Sequence, residues 1–76
     1  MIKFEYINKH LDRIRYEVKV GFLPVGIIKH FEVYSRYDQY LKQGYDKSIA
    51  ILFAGEDLKV SERQIYRIIH IMEEEL

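Results

Sequence analysis

The chain has no cysteine, a single proline and four glycines, and its formal net charge is zero. Without cysteine there are no disulfides and no thiolate metal sites, which fits a reducing compartment. The glycines are scattered, so no Gly-rich loop is present to cradle a phosphate. No apolar run approaches the roughly 18 residues of a membrane span, and no basic–apolar–small leader opens the sequence. The expectation is a soluble, cytoplasmic protein. Zero net charge also denies it the overall basic footprint usual in nucleic-acid binders.

What is present supports one small folded domain. At 76 residues, such a chain buries about 60% of the surface it exposes when unfolded. Apolar residues make up 49% of it, with seven tyrosines and four phenylalanines to fill a core. Charge is unevenly spread: residues 1–43 hold eight Lys/Arg and five Asp/Glu, residues 44–76 four and seven. Three of those seven are the run Glu73, Glu74 and Glu75. At the negative end of a helix dipole, this run reads as a solvated, fraying tail.

Residues 1–20 carry two overlapping patterns. Phe4, Ile7, Leu11, Ile14 and Val18 recur at 3-4-3-4 spacing, the stripe of an amphipathic helix. Ile14, Tyr16, Val18, Val20 and Phe22 also alternate, as do Ile2, Phe4 and Tyr6, which suits two strands. The segment between them has no hairpin signal, and a lone two-stranded hairpin is marginal. One helix is therefore expected, stopped by Gly21. Pro24 then suits the first turn of a second helix running to about Gln43, with Gly44 ending it. Ile27, Phe31, Tyr34 and Leu41 line its face, widened by Ile28, Tyr37 and Tyr40. So short a connection implies an antiparallel pair.

Asp46 is placed to cap a third helix through about Asp57. There Ile49, Leu52 and Phe53 point one way, and Ala50 and Ala54 allow close approach. Leu58, Lys59 and Val60 form a turn. Ser61 and Gln64 then make a capping box for a fourth helix, reaching about Glu74. At about 100° per residue, Ile65, Ile68, Ile69 and Met72 share one face of that helix, with Arg63, Arg67 and His70 opposite. The expected fold class is all-α: a small four-helix domain. Residues 1–43 form a helical hairpin that braces residues 45–74.

The segment Gly55-Glu56-Asp57-Leu58-Lys59-Val60-Ser61-Glu62-Arg63-Gln64-Ile65-Tyr66-Arg67-Ile68-Ile69 resembles the helix-turn-helix unit of bacterial and phage DNA-binding proteins. It is most similar to the short C-terminal units of Mor-type phage transcription activators and of site-specific resolvases. Gly55 matches the small residue where the two helices cross. Ala54, Leu58 and Val60 match the apolar flanks of the turn, and Ile65 and Ile68 the anchors of the recognition helix. One departure is the turn position usually held by glycine for its positive φ, which is Lys59 here.

The resemblance implies sequence-specific binding of double-stranded DNA by a small transcriptional or mobile-element regulator. Ser61, Glu62, Arg63, Tyr66, Arg67 and His70 would then face the major groove. An arginine can grip guanine O6 and N7 with two hydrogen bonds, and a glutamate can accept from the cytosine amine. Tyr45, Lys47, Ser48 and Lys59 stand near helix starts, where hydroxyls, ammonium groups and free N–H groups hold phosphates. A single helix in one groove is a modest interface, so pairing with a second copy is expected. Ile71 and some of Tyr16, Val20 and Val33 are apolar residues left over that could line that contact.

Other chemistry finds little support. Arg63 and Arg67 alone would describe any solvated helix face, and capping boxes begin ordinary helices everywhere. His10, His30 and His70 share no metal-ligand spacing, so no metal or cofactor is expected. Tyr34, Tyr37 and Tyr40 could stack on single-stranded bases, but tyrosines at helical spacing more often pack a core with their hydroxyls reaching water. No nucleophile, base and orienting group can be assembled, so an enzyme is not expected, nor is a small-molecule substrate or a membrane partner. The competing class is a protein-interaction module of the same shape, suggested by the neutral charge and the acidic, aromatic surface.

Overall fold

In the computed structural model, which describes residues 1–24 and 26–76, every regular element is helical. These are α1 (Lys3–Lys9), α2 (Leu11–Lys19), α3 (Gly26–Lys42), α4 (Lys47–Leu58) and α5 (Glu62–Met72). The molecule measures 36 × 25 × 18 Å. Among the described residues, no helix is long and apolar enough to cross a membrane.

The N-terminal stripe is helical, but in two pieces rather than one. The break falls at His10, whose backbone (φ −114°, ψ 27°) leaves the helical region. Its N–H is shared between the carbonyls of Tyr6 and Ile7 at 3.1 and 3.2 Å. Both parts reach one core: Ile7 and Ile14 are buried, with Phe4, Leu11 and Val18 packed against that core.

The stop after α2 is a Schellman motif. Gly21 takes φ +89°, its N–H bonds the Val18 carbonyl at 3.1 Å, and the Phe22 N–H bonds that of Glu17 at 2.8 Å. Gly44, at φ +102°, repeats the arrangement after α3, with Gly44 bonding Leu41 and Tyr45 bonding Tyr40. Positive φ satisfies the last carbonyls at little cost only in glycine. Pro24 precedes α3 rather than sitting in its first turn; Val25, within the expected helix, lies outside the described residues.

Helix α3 is the spine, packing most extensively against α4 and α5. It buries Phe31, Val33, Tyr34 and Tyr37, with Ile27, Ile28, Tyr40 and Leu41 half-buried beside them. The tyrosines therefore serve as core: Tyr34 packs tilted against Phe4 and edge-on against Tyr37, with ring centroids 4.5 and 5.4 Å apart. Val33 is only 1% exposed and is not free to line a contact with a second copy.

Helix α4 crosses its neighbours on Ala50, Ile51 and Ala54, whereas Ile49 and Leu52 face solvent. The helix is apolar nearly all round, so periodicity did not choose a face; the closeness of the crossing selects the small side chains.

The glutamate run is tied down rather than fraying. Tyr34 Oη donates to Glu73 Oε2 at 2.8 Å. Lys3 Nζ lies 3.5 Å from Glu74 Oε1, and the Met1 amino group 3.2 Å from Glu75 Oε2. Backbone bonds from Lys3 to Glu74 and from Leu76 to Met1 close an antiparallel bridge between Ile2 and Glu75. An acidic run meets α1 here, and pairing outweighs the unfavourable helix-end position.

Candidate nucleic-acid interface

Helix α4, a three-residue turn and helix α5 follow one another over Lys47–Met72. The start of α4 is held by Asp46, whose carboxylate accepts from the Ile49 N–H at 2.9 Å. The start of α5 is held by the reciprocal box. Gln64 N–H donates to Ser61 Oγ at 3.3 Å, and Ser61 N–H to Gln64 Oε1 at 3.4 Å.

The turn between them depends on two residues. Lys59 adopts the left-handed conformation at φ 55°, ψ 46°, and the Val60 N–H closes onto the Gly55 carbonyl at 3.0 Å. Lys59 thus occupies the positive-φ position, at a strain of about 1–2 kcal/mol for a residue with a Cβ. Gly55 is the point of closest approach. A Cβ there would stand 2.8 Å from the Val60 carbonyl oxygen and 3.1 Å from Ile65 Cδ1. Val60, at the turn, is itself buried.

Burial of Ile65, Ile68, Ile69 and Met72 then fixes how α5 is rotated about its axis. The expected groove-facing set, Ser61, Glu62, Arg63, Tyr66, Arg67 and His70, is exposed throughout. Arg63, Tyr66, Arg67 and His70 share one stripe opposite the buried face, while Ser61 serves as the cap and Glu62 sits toward the side of Ile69. The expected phosphate set is exposed as well, but it divides. Tyr45, Lys47 and Ser48 stand at the start of α4, and Lys59 at its end, about 17 Å away along the axis.

Electrostatics at this face differ from what the half-chain totals suggest. Of the seven carboxylates in residues 44–76, five are engaged elsewhere. Asp46 caps α4, Asp57 accepts from Tyr40 and lies 3.5 Å from Arg36, and Glu73, Glu74 and Glu75 hold the terminal contacts. Glu73 is also about 15 Å along α5 from Arg63, beyond the ~8 Å screening length at physiological salt. The four cations of the same half, Lys47, Lys59, Arg63 and Arg67, form no salt bridge among the described residues. The exposed stripe of α5 is accordingly positive.

A cleft of about 220 Å³ opens beside this stripe, where the turn and α5 face α3. Lys29, His30, Lys59, Val60, Gln64, Arg67 and Ile68 line it. Lys29 and His30 were not among the sequence candidates. They sit off the apolar stripe of α3, and no local pattern links residue 29 to residue 67. Only the packing of α3 against α5 brings them together.

No group of three or more histidines and carboxylates among the described residues is placed to hold a metal ion. The perturbed side chains are core phenols, not a reactive centre. Burial, reinforced by Glu73, pushes Tyr34 upward, and burial does the same for Tyr37. Tyr40 is raised chiefly by its hydrogen bond to Asp57.

No family model matches the chain, and neither curated proteins nor solved structures provide a match.

Proposed function

We propose that the protein binds double-stranded DNA through α4, the turn and α5, with α5 entering the major groove as the recognition helix. One observation carries the reading. The rotation of α5 is fixed by four buried apolar residues, and its opposite stripe offers Arg63, Arg67, Tyr66 and His70 with both arginines free of carboxylate partners among the described residues. A helix so anchored can present bidentate donors to base edges without first breaking an ion pair. Residues 1–43 brace the unit, with α1 packed against α3 and α5. The protein acts in this reading as a small transcriptional or mobile-element regulator. A second copy would be accommodated at the end of α2, where Tyr16 and Val20 are exposed and Phe22 is 79% exposed.

Selection of bound sequences from pooled random duplexes at low salt tests the proposal. The expected result is a recovered motif, steep loss of affinity with salt, and a cost of about 1–3 kcal/mol for Arg63→Ala or Arg67→Ala where the arginine reads a base. No detectable binding at low salt would overturn it. Light scattering at high protein concentration tests the pairing, and a strictly monomeric species would remove it.

A second reading, protein interaction, is favoured by one feature: on α4, Leu52 is 52% exposed with Ile49 and Tyr45 exposed nearby. Binding through that face would be largely insensitive to salt and lost in Leu52→Glu, whereas duplex binding would survive that change.

A further inference from the structure

The cleft between α3 and α5 has the chemistry of a phosphate site. Its liners include three cations from three parts of the fold: Lys29 from α3, Lys59 from the turn and Arg67 from α5. His30 and Gln64 add further hydrogen-bonding groups, and no carboxylate is among the described residues that line the cleft. None of the three cations has an acidic partner within salt-bridge distance among the described residues. In a chain with twelve basic and twelve acidic residues, three uncompensated positive charges converging on one concavity leave a local surplus that the rest of the surface must balance. Such a surplus attracts an anion and raises its local concentration.

The position of the cleft identifies the anion. An α-helix with its side chains is about 10–12 Å across, and the major groove is about 12 Å wide. A helix seated there therefore presses its flanks against the phosphate walls while its outer stripe meets the bases. Arg67 stands at the boundary, on the outer stripe of α5 and on the rim of the cleft. Gln64 lies on the flank itself. With α5 in the groove, the flank bearing Gln64 and Arg67 faces one strand's backbone, and Lys29, His30 and Lys59 extend that flank beyond the helix. The volume of about 220 Å³ is several times the ~30 Å³ share of one water, enough for a phosphodiester with bridging waters.

We infer that this cleft holds a backbone phosphate of the bound duplex, with Lys29 of α3 as a phosphate-contacting residue. The inference rests on the DNA reading above and adds a helix outside the α4–turn–α5 unit to the interface. Contacts to phosphate position the protein without reading sequence. Removing one should therefore weaken binding equally on all sequences and lower the salt slope by about 0.9.

The test compares the wild-type protein with Lys29→Gln on the selected duplex and on an unrelated one, across 50 to 200 mM salt. A second variant, Arg15→Gln, removes an exposed charge on α2 outside the cleft. Circular dichroism confirms that each variant is folded. Loss of one phosphate contact over that four-fold salt range makes the wild-type advantage over Lys29→Gln about 3- to 4-fold larger at the low-salt end. The same ratio is expected on both duplexes, with Arg15→Gln retaining the wild-type slope. If the wild type binds and Lys29→Gln keeps its affinity and slope, the cleft assignment is overturned and the DNA reading stands. Equal effects from Lys29→Gln and Arg15→Gln overturn it too, because the loss would then be one of general charge. Failure of the wild type to bind any duplex overturns both.

Discussion

Replacing Gly55 by alanine tests the packing that sets the geometry of α4 and α5. In a helix interior alanine is favoured over glycine by about 1 kcal/mol, so propensity alone predicts a more stable protein. The structure predicts the reverse. The new Cβ would lie 2.8 Å from the Val60 carbonyl oxygen, a backbone atom that cannot rotate away, and 3.1 Å from Ile65 Cδ1. Relief requires α4 and the turn to separate by several tenths of an ångström. That movement strains the Val60-to-Gly55 bond of 3.0 Å and loosens Ile65, which is fully buried. Overpacking of this kind costs about 1–3 kcal/mol, leaving a net loss of up to about 2 kcal/mol once the propensity gain is subtracted. For a domain of this size that corresponds to a melting temperature lower by up to roughly 15 °C. Thermal and urea denaturation followed by circular dichroism measure it, with Gly26→Ala as the control. Gly26 opens α3, and a Cβ there meets nothing within 4 Å, so alanine should be neutral or slightly stabilising. A Gly55→Ala protein at least as stable as the wild type would refute the crossing as described.

Three further outcomes follow from the same contacts. Lys59→Gly removes left-handed strain at φ 55° and should raise stability by about 0.5–1 kcal/mol after the added freedom of the unfolded chain is subtracted. A lower urea midpoint would show that the turn is not strained. Tyr34→Phe deletes the 2.8 Å hydrogen bond to Glu73 and should cost about 1–2 kcal/mol, given the partial solvent access of a charge-assisted bond. A double-mutant cycle with Glu73→Gln giving no coupling would contradict that bond. At high pH, Tyr34, Tyr37 and Tyr40 all hold their protons more tightly when folded. Their stabilising contribution is thus complete below the unfolded phenol value of about 10 and is lost as pH rises toward the higher folded values. The urea midpoint should accordingly fall above about pH 10, and a flat profile there would argue against buried, bonded phenols.

Local signals in the sequence located most of the helix ends, because each end has a short-range cause. Asp46 and Ser61 cap where their spacing to Ile49 and Gln64 requires. Gly21 and Gly44 supply the two glycine stops. Even the departure at Lys59 was legible, since the turn needs a left-handed residue there whichever side chain occupies it. What the pattern missed has long-range causes. The break at His10 is marked by no breaker residue, and both halves of the apolar stripe still reach one core. In α4, whose middle over residues 49–55 has no polar side chain, only the partner helices decide that Ala50 and Ala54 turn inward and Leu52 outward. The glutamate run looked solvated because the residues that hold it, Met1, Lys3 and Tyr34, are 39 or more positions away in the chain. The cleft was invisible for the same reason.

Charge shows most clearly how folding changes the reading. As sums, the C-terminal half is acidic, with four basic residues against seven acidic ones, and that total argues against nucleic acid. A sum treats every charge as acting at one place, whereas interactions between exposed charges fade over about 8 Å at physiological salt. Folding sorts the two signs. Asp57 goes to Arg36 and Tyr40, and Glu73, Glu74 and Glu75 go to the far end of α5 and the neighbouring start of α1. Lys59, Arg63 and Arg67 are left together around the turn, with Lys29 brought to them by α3. Near the start of α5, Glu56 and Glu62 are the two carboxylates not already engaged, and they share a concavity with Val60 on the α4 side, whereas no carboxylate is among the described residues lining the cleft toward α3. A neutral protein can therefore present a basic face without becoming a basic protein. Such a face would depend on the helix packing that gathers it. A substitution such as Gly55→Ala should then weaken duplex binding even though residue 55 touches no nucleic acid, because it displaces α5 relative to both Lys59 and Lys29.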